Sequence, residues 1–226
     1  MTRLLSTAVL LAGWMLSPAV AGAQTRNLLN EMQGYTTALG VTCEFCHVAP
    51  ARSDVPQPKK DIARQMIAMT RDLNARVQLA TGKTPFDATK VECATCHRGV
   101  TIPKPLGQVI VQTLQDQGPD AAEEQYRDLR TRYYGRSSYD FGEDELLTAA
   151  RSIVSVRPDD AITLLQLNVE FHPKSARSYA LLGFAYTRKF DDELALEHLE
   201  KAVELDPANG EFQGQLMQLR SLRRRK

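Results

Sequence analysis

Two short stretches decide how this chain is read: Val41-Thr42-Cys43-Glu44-Phe45-Cys46-His47 and Val91-Glu92-Cys93-Ala94-Thr95-Cys96-His97. Together they hold all four cysteines and two of the four histidines of the 226-residue chain. Each is a Cys-x-x-Cys-His frame, the spacing of c-type haem attachment. The chemistry explains the spacing. Positions i, i+3 and i+4 of a helical turn share one face. Two thiols can then form thioethers with the two vinyl groups of one porphyrin, while the next imidazole reaches the iron. Two other uses of the same cysteines compete with this one. One is a disulfide within each pair, as in thioredoxin-type redox motifs or exported proteins. The other is a zinc ion held by two Cys-x-x-Cys knuckles. Neither accounts for a histidine directly after the second cysteine in both copies, nor for the lack of cysteine elsewhere. The expected cofactors are two covalently bound haem c groups. Cys43, Cys46, Cys93 and Cys96 would attach them, and His47 and His97 would ligate iron.

Working outward, the segments upstream of the two frames repeat one another. Met32-Gln-Gly-Tyr35-Thr36-Thr-Ala-Leu39 precedes the first, and Met66-Ile-Ala-Met69-Thr70-Arg-Asp-Leu73 precedes the second. Both read Met-x-x-[Tyr/Met]-Thr-x-x-Leu with no internal proline, so both are expected to be helical. A haem held by His alone is open to small ligands, and electron carriers close the sixth position with Met or His. Met32 is the candidate in the first unit. In the second, Met66 and Met69 lie one turn apart, and periodicity alone does not choose between them; the repeat favours Met66, because Met69 aligns with Tyr35. The connection Val48–Lys60, with Pro50, Pro56 and Pro58, reads as a loop, and Thr81-Gly82-Lys83-Thr84-Pro85 as a turn. Lys59, Lys60, Arg64 and Arg71 are basic residues near the second helix, suited to haem propionates, an acidic partner or plain solvent.

This unit resembles the haem-binding segments of the tetrahaem cytochrome subunit of photosynthetic reaction centres. The resemblance rests on Leu39 to Val48, on Arg64-Gln65-Met66-Ile67-Ala68-Met69-Thr70-Arg71-Asp72-Leu73-Asn74, and on Val91 to Gly99, and it covers roughly residues 27–105. It implies that Met32 serves the haem on His47 and Met66 the haem on His97. It also implies an electron carrier, not an enzyme. That family carries four haems and this chain has two frames, so the likeness is to half of that cytochrome, and donation to a reaction centre does not follow from it.

The ends of the chain have a different texture. Residues 1–23 read as an export signal: Arg3, an apolar run from Leu4 to Leu16, Pro18, then Ala21-Gly22-Ala23 before Gln24. No other run is long and apolar enough to span a membrane, so a periplasmic chain with no transmembrane segment after signal removal is expected. Residues 24–106, the expected dihaem domain, hold 11 Lys/Arg against 7 Asp/Glu, whereas 107–226 hold 16 against 20. That asymmetry supports a two-part molecule, and the overall charge of +1 points to no nucleic acid. Residues 107–222 are expected to form a helical domain. Tyr179, Leu182, Gly183, Tyr186, Ala195, Leu199, Ala202 and Pro207 follow tetratricopeptide spacing, and Ala149, Ala161, Leu165 and Pro173 give a degenerate copy over about 142–175. Gly118-Pro119 reads as the turn of a further helix pair, 209–222 as a capping helix, and Arg223 to Lys226 as a loose basic end. His172 and His198 read as surface helix positions. The fold class is therefore all-α: a haem-dominated cytochrome domain followed by a short tetratricopeptide-like region. The functional expectation is a dihaem cytochrome passing electrons between redox partners, a membrane electron-transfer complex among the candidates, with the repeats for docking. A haem-based sensor and a dihaem peroxidase are the competing classes.

Overall fold

In the computed structural model the described residues are 18–47 and 57–225. Among them the chain is all-α, with ten α-helices, one 3-10 turn and no strand. It divides into two compact units, residues 1–101 and 102–226. Most of the expected export signal lies outside the described residues; its last residues, from Pro18 on, already belong to the first helix. No helix among the described residues is long and apolar enough to cross a membrane.

The first unit contains α1 (Pro18–Leu39), the 3-10 turn Cys43–Phe45, α2 (Pro58–Thr81) and the short α3 (Cys93–His97). The expected loop 48–60 is mostly outside the described residues, and it ends earlier than expected, because Pro58 opens α2. Proline suits a first helical turn, where its missing N–H had no partner and its φ is already helical. Gly82, at φ +64, closes α2 in the left-handed conformation and donates its N–H to Gln78 O. Among residues 27–47 and 57–101 only Ala38, Ala88, His97 and Val100 are buried. The 24 residues of α2 include none. Its half-buried residues Ala63, Met66, Ile67, Thr70, Asn74 and Val77 instead form one stripe at helical spacing.

The second unit is a run of helices, most of which pack on the next in sequence. It comprises α4 (Leu106–Gln117), α5 (Pro119–Tyr133), α6 (Glu143–Ile153), α7 (Pro158–Phe171), α8 (Ala176–Arg188), α9 (Asp192–Leu205) and α10 (Gly210–Arg223). Side-chain caps start the last three: Ser175 accepts from Ser178 N, Asp191 from Leu194 N, and Asn209 from the N–H groups of Glu211 and Phe212. A continuous core runs through the unit, anchored by Tyr126, Leu146, Leu165, Leu182 and Leu199. Asn168, fully buried on α7, ties α6 to α8 by donating to Glu143 O and Ser178 Oγ. Gly183 lets α8 and α9 approach closely: a Cβ there would lie 2.6 Å from Leu199 Cγ and 3.1 Å from Ala195 O.

His172 and His198 are not the surface positions expected of them. His172 is half-buried at the end of α7 and donates Nε2–H to Phe141 O at 3.0 Å. His198 lies between the rings of Tyr179 and Tyr186, nearly parallel to the latter at 5.2 Å. Burial pushes the His198 imidazole below its ordinary value.

Two predictions follow from this packing. Gly183→Ala should destabilise the chain by about 1–2 kcal/mol, since overpacking costs more than the helix propensity that alanine returns; a thermal melt at or above that of the parent would contradict the close approach. The neutral His198 is favoured in the fold, so its contribution to stability is complete above about pH 6.5 and is lost as pH falls from there toward the lowered folded value. His198→Phe should flatten the stability curve below about pH 6.5, read by denaturant melts from neutral into the acid range.

Candidate haem sites

The second frame forms a regular α-helical turn. Glu92 and Thr95 make a reciprocal capping box, Glu92 accepting from the N3 backbone and Thr95 Oγ1 from Glu92 N at 2.9 Å. The turn ends at Arg98, left-handed at φ +46, whose N–H is donated to Ala94 O. The first frame is less regular: Cys43–Phe45 is a 3-10 turn, and the N–H groups of Cys46 and His47 are both donated to Cys43 O. In each frame the two cysteines and the histidine therefore occupy one helical turn. All four cysteines are free thiols. Among the described residues no three or more of His, Cys, Asp and Glu converge as a metal site.

The histidines differ in their surroundings. His97 is buried, and its Nδ1–H is donated to Val100 O at 3.0 Å. A carbonyl can only accept, so this bond fixes the tautomer and leaves Nε2 as the ligating nitrogen. His47 is exposed. Beside it, Lys59 Nζ sits 3.8 Å above the Phe45 ring, linking the start of α2 to the first frame.

Two contacts bind the helices to the second frame. The Asn74 side chain behaves like a strand neighbour for Val91, donating to Val91 O and accepting from Val91 N, both at 2.8 Å, while also donating to Thr70 O. This latches α2 to the approach of Cys93. The end of α1 meets the turn behind His97 directly: Gly99 N–H is donated to Ala38 O at 2.8 Å. Gly40 has φ +65, and a Cβ on it would lie 2.1 Å from Gly99 O, so only glycine fits.

Between α1, α2 and the start of α3 lies an open cavity of about 410 Å³. Cys93 lines it, with Tyr35 and Ala38 from α1 and Ile67, Arg71 and Asn74 from α2. The Tyr35 hydroxyl is donated to Glu31, and burial together with that carboxylate pushes the phenol up to about 12. Burial likewise pushes the Cys93 thiol up. On α2, Met66 belongs to the half-buried stripe, whereas Met69 is exposed. Met32 is half-buried on α1. Sequence reasoning did not find Asn74, Gly40, Val100 or the cavity role of Tyr35; the one usable local signal was the Glu-x-x-Thr frame at residues 92–95.

These residues fit a c-type haem. The attaching thiol opens into a cavity of ligand size, the buried imidazole presents a fixed nitrogen, and the unit buries few side chains of its own. A family model described as photosynthetic reaction centre cytochrome C subunit matches residues 19–156, more than half of the chain. The chain belongs to that family of c-type cytochromes. It is 34% identical over 77 residues to cytochrome c-554 of Chloroflexus aurantiacus, covering 34% of this chain and 18% of that protein. It is 37% identical over 82 residues to the photosynthetic reaction center cytochrome c subunit of Thermochromatium tepidum, covering 32% of this chain and 20% of that protein. The matched stretch thus spans about a fifth of the length of these relatives. Family membership agrees with covalent haem c as the cofactor class.

Gly40→Ala tests the contact that joins α1 to the second frame. The added methyl meets backbone, not a movable side chain, and the left-handed φ adds strain, so a loss of about 2 kcal/mol or more is expected, with reduced haem content in the purified protein. A variant as stable and as fully loaded as the parent would show that the contact does not constrain the site.

Proposed function

We propose that this protein is an electron-transfer cytochrome carrying two covalently bound haem c groups. His47 and Met32 would ligate one iron, and His97 and Met66 the other. The observation that carries this reading is the pair of Cys-x-x-Cys-His turns, the second with its imidazole buried and its Nδ1–H committed to Val100 O. When bound, each group supplies a one-electron iron couple. The chain's own residues do the rest. The cysteines fix the macrocycle, the Val100 carbonyl orients His97, and Asn74 holds α2, with Met66, to the approach of Cys93. The exposure of Met69 supports Met66 as the ligand from α2. Two His/Met-closed irons suit electron passage, not substrate activation.

The export signal and the free thiols suit the periplasm, where haem attachment would consume those thiols. The second unit, with its sequentially packed helices and the small residues Gly183, Ala195 and Ala202 at close approaches, supports a tetratricopeptide-like scaffold that docks the haem unit, residues 24–106, to a redox partner. A membrane electron-transfer complex is one such partner, given the family.

The test is a redox-titrated absorption spectrum of the purified protein with a haem count. Two haems per chain with a reduced c-type α band are expected, and one haem or none would refute the reading. Met66→Ala should open one iron to added carbon monoxide or imidazole, whereas Met69→Ala should leave the spectrum unchanged; the reverse pattern would transfer the ligand role to Met69.

A further inference from the structure

The four basic residues near α2 have different surroundings. Lys59 lies over the Phe45 ring, and Arg64 pairs with Asp61 on the same helix. Lys60 is half-buried in the first turn of α2. Arg71 is the one cation among the residues lining the cavity into which Cys93 opens, and it has no ion-pair partner among the described residues. Two acids share that lining: Glu31 accepts the Tyr35 hydroxyl, and Glu92 accepts a backbone N–H as the cap of α3. Tyr35 itself stays a neutral phenol at ordinary pH and offers Arg71 no negative charge. A guanidinium is charged at every working pH, so Arg71 is a fixed positive charge in a lining whose two carboxylates already accept hydrogen bonds of their own.

We infer that Arg71 tunes the haem attached at Cys93 and Cys96, raising the midpoint potential of that haem and not of the other. The inference rests on the dihaem reading above. The physical basis is simple. Oxidation adds one positive charge at the iron, and a nearby fixed cation disfavours that charge, so the reduced form is favoured. Arg71 is exposed on its outer side, so solvent screens it in part and the effect is moderate.

The experiment is potentiometric titration of the full-length, haem-loaded protein. Arg71→Gln should shift the oxidised-to-reduced equilibrium of one haem about threefold toward the oxidised form, a fall of about 28 mV at 59 mV per decade for one electron. The fall should grow at low salt. Arg71→Lys, which keeps the charge, should recover most of it. Met66→His marks the second haem, because bis-His ligation lowers its potential; the midpoint that moves in M66H must be the one that moves in R71Q. Unchanged midpoints in R71Q, a shift of the other haem, or an R71K that behaves like R71Q would each overturn the assignment. A wild-type haem count of one would overturn the dihaem reading instead, and it is measured before any variant is made. If M66H moves neither midpoint, the Met66 ligation fails and the second haem is marked instead by a Cys93→Ala, Cys96→Ala variant that cannot attach it: absence there of the midpoint that moves in R71Q supports Arg71, and its persistence overturns the assignment.

Discussion

Gly99 donates its N–H to Ala38 O, and Gly40 lies so close to Gly99 O that no side chain fits between them. This backbone meeting joins the end of the first helix to the turn behind the second histidine. The first unit has few other means of holding that geometry. Residues 27–47 and 57–101 bury four side chains, and burial at about 25 cal/mol per Å² of apolar surface yields little when so little is buried. The entropy of ordering each residue, about 1–2 kcal/mol, has to be offset by something else. Backbone contacts such as this one, the Asn74–Val91 latch and a covalently held macrocycle are the means that this sequence offers. The cysteines are then structural as well as functional, because a tethered porphyrin would supply the apolar mass that the side chains of α2 do not bury.

The second unit solves the same problem in the ordinary way. Tyr126, Leu146, Leu165 and Leu182 are almost wholly buried in one continuous core. Small residues set the helix spacing, and capping side chains start the last three helices. It holds no cysteine. Under the proposed reading, that contrast would be a division of labour within one chain: one part would trade its apolar core for a redox group, and the other would keep an apolar core and leave its helix faces for contact.

What could be read from the sequence follows from the range of the interactions. The attachment frames were legible because their chemistry is local: three side chains on one turn. The all-α class, the Gly118-Pro119 turn and the final helix were legible for the same reason. Met66 against Met69 was not settled by periodicity, since residues one turn apart differ only in what the rest of the fold sets beside them. The Gly40–Gly99 contact spans 59 residues, and Asn74–Val91 spans 17; pairings of that length leave no mark in a local window. The start of α2 at Pro58 was missed because proline reads as a loop signal unless its place at a helix start is known. His172 and His198 were misplaced for a related reason. A histidine amid charged residues reads as surface, but Phe141 O and two tyrosine rings make polar or stacking contacts with a half-buried imidazole.

Two identical five-residue frames thus occupy unequal sites. Cys-x-x-Cys-His sets the attachment chemistry in both. It does not set how far the imidazole is buried, which atom receives its second N–H, or what charge faces the macrocycle. His97 is buried and bonded to Val100 O, four residues after a cysteine that lines a cavity walled by both long helices; His47 is exposed, two residues after the Phe45 ring that Lys59 covers. Redox potential responds to hydrogen bonding, burial and nearby charge around a given ligand set. Any difference between haems held at the two frames would therefore originate in residues such as Val100, Tyr35 and Arg71, which lie outside the repeated frames.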